Sequence, residues 1–181
     1  MAGLLGRGMA VMVPLVVPLM VIGCGGGADQ FAPACPRPAI LRDANDLQRF
    51  RGNGRDFLDT SLQGRIVSVN GSCVADGSRV VVATVQVGLD LTRGPAATGR
   101  ATDVSFFVAV SQGERVLDKQ VYTIRASFPE NTDRVRLTGD SVDLRLPVTK
   151  DKGADAYQVT VGYQLTPAEL EANRRRIGSA P

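Results

Sequence analysis

Arg79 to Leu91 reads RVVVATVQVGLDL, and its alternation decides the fold class. Val81, Ala83, Val85, Val87, Leu89 and Leu91 are apolar, with Thr84, Gln86, Gly88 and Asp90 between them. Successive side chains of a strand point to opposite faces, so this is a strand with one face on a core and one in water. The period returns at Tyr157, Val159, Val161, Tyr163 and Leu165, and again at Val142, Leu144, Leu146 and Val148. Val104, Phe106, Val108 and Val110 mark another strand, and Val116 to Ile124 and Leu62 to Val69 two more. Ser111-Gln112-Gly113-Glu114 reads as a tight hairpin, and Arg93-Gly94-Pro95 and Asn70-Gly71 as turns. Strands at this spacing, with no helices between them, predict a mostly β chain. The expected form is a single antiparallel β-sandwich of immunoglobulin-like type, or else a small barrel. Pro147 cannot donate to a ladder and suggests an edge position for its strand.

The two ends of the pattern differ from its middle. In Pro38 to Phe50, PAILRDANDLQRF, Ala39 to Leu41 can begin as a short strand. Asp43 can then cap a short helical segment near the N-terminus, with Leu47 and Phe50 on one face. Arg51 to Arg55, RGNGR, is a loop by its glycines. Thr166-Pro167-Ala168-Glu169 combines a cap residue, Pro at the first helical position and Glu at the third, which predicts a C-terminal helix over 167–177. Arg174, Arg175 and Arg176 then lie at the negative end of its dipole. There they complete the helix and stay solvated; as a functional alternative, they touch an acidic surface of lipid headgroups or a phosphate-bearing polymer.

The chain has 181 residues and a formal charge of +3, too small an excess to indicate nucleic-acid binding. It contains no His, which excludes Ser-His-Asp and Cys-His catalysis and every His-ligated metal site. Asp103, Asp118, Asp140, Asp143, Asp151 and Asp155 are scattered and lie mostly beside turns, so nothing in the pattern points to a catalytic carboxylate pair. Asp151 to Asp155, DKGAD, is a solvated hairpin tip before it is a calcium loop. The expectation is a protein without catalytic residues, metal or cofactor.

The first residues belong to a different physical class. Arg7 is the only charge before Asp29, and Met9 to Gly23, MAVMVPLVVPLMVIG, is an apolar run. It falls short of the roughly 20 residues a spanning helix needs, and Pro14 and Pro18 weaken it further. A positive start followed by a short apolar stretch is the signature of an export signal. Its end, Val21-Ile22-Gly23-Cys24, resembles the lipobox of bacterial lipoproteins. The resemblance implies that 1–23 is a signal peptide, cleaved before Cys24, and that Cys24 carries diacylglycerol on sulfur and an acyl chain on its amino group. Several acyl chains make a stable anchor where one is marginal. Gly25 rather than Asp follows Cys24, which in that family implies the outer membrane.

With Cys24 acylated, Cys35 and Cys73 remain as a pair. The periplasm permits a disulfide, which would stabilise by about 4 kcal/mol in the chain-entropy model. Two reduced buried thiols are the alternative. Residues 24–34 then form the lipidated Cys and a flexible tether, and 35–181 the β-domain with its helix. Cys35-Pro36, Ala39-Ile40-Leu41, Gly71-Ser72-Cys73, Asp90 to Pro95 and Gln164 to Leu170 are similar to segments of alphaproteobacterial envelope lipoproteins. That group carries no assigned activity, so the likeness implies placement and no mechanism. The function expected is a lipid-anchored, periplasm-facing module, non-catalytic, that binds or supports an envelope protein or polymer. The alternative is a carrier of a small apolar or lipidic ligand inside a barrel.

Overall fold

The computed structural model describes residues 34–178. Expectations that fall on 1–33, including Cys24, lie outside the described residues. The strands are β1 (Pro38–Ile40), β2 (Asp46–Phe50), β3 (Thr60–Asp76), β4 (Val80–Arg93), β5 (Ala101–Gln112), β6 (Arg115–Ser127), β7 (Arg134–Thr138), β8 (Val142–Pro147) and β9 (Gln158–Tyr163). One helix, α1 (Pro167–Gly178), ends the described chain. No described helix is long and apolar enough to cross a membrane.

The strands form two packed sheets. The first has the order β1-β9-β5-β6; the second has β2-β3-β4, with β7 and β8 end to end along the far side of β4. Leu89, Leu91, Val104, Phe106, Val161 and Tyr163 fill the space between them, each at 1% exposure or less. The alternation of β4 is why. Its odd positions enter the core, and its even positions face outward. The sheets do not close, so the barrel interior needed by the carrier expectation is absent among the described residues.

Three local expectations are overturned. The helix capped by Asp43 reduces to a three-residue 3-10 turn, Arg42–Ala44, and Leu47 and Phe50 lie on β2. A helix that short is marginal in water, whereas β2 pairs along Thr60 to Arg65 and buries Leu47. Asn70-Gly71 is no turn: both residues sit within β3, opposite Gln86 and Val85. The chain reverses at Gly77 instead, in the left-handed region at φ 69°. Gly71 has another reason to lack a side chain, because a Cβ there would stand 2.9 Å from the Pro38 ring. Nor is the sandwich purely antiparallel, since β1 runs parallel to β9.

Other expectations match. Gly113, at φ 56°, turns the β5–β6 hairpin, and Pro147 closes β8 on the sheet edge. Cys35 and Cys73 are bridged, with Cα atoms 5.7 Å apart. The bridge ties the chain just ahead of β1, in one sheet, to β3 in the other. Helix α1 is held by polar contacts rather than an apolar stripe. Thr166 and Glu169 form the capping box, with Glu169 Oε2 accepting from Thr166 N–H at 2.7 Å and Thr166 Oγ1 accepting from Glu169 N–H at 3.3 Å. Buried Asn173 donates to the Asp43 and Asp46 carbonyls at 2.9 and 2.7 Å.

Candidate functional site

The outer face of the second sheet carries a connected constellation of charge. The register aligns Asp46, Arg65, Asp90 and Arg136 in one rank across β2, β3, β4 and β7. The next rank is Gln48, Gln63, Thr92 and Arg134. Opposite charges directly across a sheet attract, so alternate acids and bases hold the rank together. Arg65 donates to Asp46 through Nε at 2.7 Å and Nη2 at 3.4 Å. Arg134 grips Asp90 through Nε at 2.8 Å and Nη2 at 2.6 Å, and Arg136 reaches the same carboxylate at 3.3 Å. A cleft of about 320 Å³ lies over these ranks, with Arg176 of α1 on its wall.

Asp90 is the buried member. Its side chain is 8% exposed, beneath guanidinium groups that are themselves 71% and 73% exposed. The Arg134 hydrogen bond holds the Asp90 carboxyl below the usual range; burial opposes this, and Arg136 reinforces it. Asp90 in turn raises the Arg134 guanidinium, as Asp46 raises Arg65. Beneath the floor, Tyr163 crosses the core and ends against Gly64, with its hydroxyl 2.8 Å from where a Cβ would stand. That hydroxyl is buried with no hydrogen-bond partner, and burial pushes its ionisation well above the ordinary phenol value, with Asp46 and Asp90 adding to the effect.

The three C-terminal arginines do not converge. Arg174 pairs with Asp43 at 3.1 Å and Arg175 with Glu171 on its own helix at 3.6 Å. Arg176 turns toward the cleft, donating to Gln48 Oε1 at 3.3 Å and Asn173 Oδ1 at 2.6 Å. Asp103 pairs with Arg125, across the β5–β6 ladder. Asp118 and Asp143 both line a second cleft, of about 500 Å³, where the edges β6 and β8 face each other. Both are exposed, and each accepts a hydrogen bond, from Gln120 and Thr84 respectively. Among the described residues no group of three or more potential ligands could hold a metal ion.

The expected site residues are therefore dispersed: the Cys35–Cys73 bridge at one end of β3, and Arg176 beside the cleft towards the other. The rank of charge escaped sequence reasoning. Asp90 stands on the water-facing side of the β4 alternation, so its burial had no local signal. Arg134-Val135-Arg136-Leu137 does alternate, and that pattern marks β7. No protein-family profile, no curated protein and no solved structure matches this chain.

Proposed function

We propose that this chain is an exported lipoprotein. In this reading 1–23 is removed, Cys24 carries the lipid, and 24–34 tether the domain to the periplasmic side of the outer membrane. The observation that carries it is the cysteine arithmetic. Of three cysteines, Cys35 and Cys73 are joined to each other, which leaves Cys24, at the end of Val21-Ile22-Gly23-Cys24, without an intrachain partner. A disulfide also fits an oxidising compartment. The domain acts as a non-catalytic module that binds or supports another envelope component, through the charged face of the second sheet. The absence of His and the surface engagement of Asp103, Asp118 and Asp143 favour binding over catalysis. We read the sandwich as immunoglobulin-like, a reading supported by the chain's passage between sheets at β4–β5 and β6–β7. Intact mass of the native protein tests the anchor: diacylglycerol plus an acyl chain on a polypeptide beginning at Cys24 is expected. A mass equal to bare polypeptide overturns it.

A further inference from the structure

We propose that the outer face of the second sheet is a receptor for the carboxylate groups of an acidic polysaccharide. The proposal rests on the binding-module part of the proposed function and is independent of the lipid. At the end of this face where β2, β3 and β7 meet β4, three guanidinium groups stand on β3 and β7, and two carboxylates lie between and beneath them; Arg145, Asp76 and Asp143 stand at the other end, where Arg145 pairs with Asp76. Asp46 takes two of the N–H donors of Arg65, Asp90 takes two of Arg134 and one of Arg136, and all three arginine side chains remain largely exposed. An arginine has five such donors in a rigid fork. The acids therefore fix the forks in place without saturating them, which lowers the ordering cost of binding an outside anion. At this end of the face Arg65, Arg134 and Arg136 against Asp46 and Asp90 leave positive charge in excess.

The planar fork matches a carboxylate in two-point contact, and Arg134 already holds the Asp90 carboxylate that way. The neighbouring Gln48, Gln63 and Thr92 offer donors and acceptors suited to sugar hydroxyls. The pairs sit on an open sheet face rather than in a closed pocket. That suits one face of a polymer repeating its charge, rather than a small enclosed ligand.

The test uses the native full-length protein in neutral detergent, with hexagalacturonate as probe. A neutral hexasaccharide and a phosphorylated sugar serve as comparison probes. The expected result is saturable binding of hexagalacturonate that weakens as salt screens the exposed charges. Arg65→Gln and Arg136→Gln should each weaken it about tenfold, and the double variant about a hundredfold. Arg175→Gln, whose partner Glu171 is outside the cleft, should bind as the unaltered protein does. Thermal midpoints measured on each variant separate lost binding from lost folding. The proposal is overturned by no binding at about 1 mM probe, by equal binding of the neutral sugar, by tighter binding of the phosphorylated one, or by full binding in the folded double variant. Intact mass from the same sample reports the lipid separately, so either reading can fail while the other stands.

Discussion

Tyr163→Phe should make this protein more stable. Tyr163 is 1% exposed, and its buried hydroxyl has no hydrogen-bond partner and ends against the backbone of Gly64. A hydroxyl taken from water without a replacement partner costs about 1–3 kcal/mol. Phenylalanine keeps the ring and its packing, so only the space of one oxygen atom is vacated. The expected gain is about 1 kcal/mol, or roughly 3 °C in midpoint for a domain of this size. The alkaline limb gives an independent reading. Burial raises the Tyr163 ionisation in the folded state, so the neutral-pH stability is undiminished through this group below about pH 10, where free tyrosine titrates. It is lost as pH climbs beyond that, at about 1.4 kcal/mol per pH unit, because the unfolded chain releases its proton first. The variant should lack this component of alkaline destabilisation. Gly64→Ala adds a third reading. Its Cβ would stand 2.8 Å from both the Tyr163 hydroxyl and Leu91 Cδ2, so the change should destabilise the protein, and less so on the Phe background. Urea unfolding from pH 7 to 11 measures all three. A Phe variant less stable by about 1 kcal/mol would refute the reasoning, since the hydroxyl would then have a partner such as a buried water.

Cys35→Ser or Cys73→Ser should lower stability by about 4 kcal/mol, measured by urea unfolding with and without reductant; a loss under about 1 kcal/mol would contradict the bridge. Asp90→Asn should remove part of the acid sensitivity. The native carboxyl titrates below its unfolded value of about 3.9, so its stabilisation is present above that pH and is lost as pH falls through the lower, folded value. Coincident acid-unfolding curves for the two proteins would show that Asp90 is not the group involved. Asn173→Ala should release α1 from the Asp43 and Asp46 carbonyls, seen as reduced helical circular dichroism and a loss of about 1–3 kcal/mol. Unchanged helicity would place the docking elsewhere.

The long elements were legible because their period repeats over many residues. Val81 to Leu91 shows the core face of β4, and the capping box from Thr166 to Glu169 announces α1. Short segments were decided by partners distant in sequence. Leu47 and Phe50 fit a helix face as well as a strand until β3 arrives to pair with them. Asn70-Gly71 has turn chemistry, yet it lies within a ladder running from Leu62 to Asp76, and its glycine makes room for Pro38. The charged face was least legible. Its members come from β2, β3, β4, β7 and α1, and only the register brings Asp46, Arg65, Asp90 and Arg136 into line.

The Cys35–Cys73 bridge also bears on mechanics. Tension applied to the chain ahead of Cys35 would otherwise load β1, whose three residues could peel from β9 one pair at a time. The covalent bridge diverts that load into β3, a strand of 17 residues paired with β4 from Leu62 to Asp76, so rupture would require many ladder bonds to yield in shear together. Oxidised protein should therefore withstand pulling from its N-terminal side that strips β1 from the reduced form.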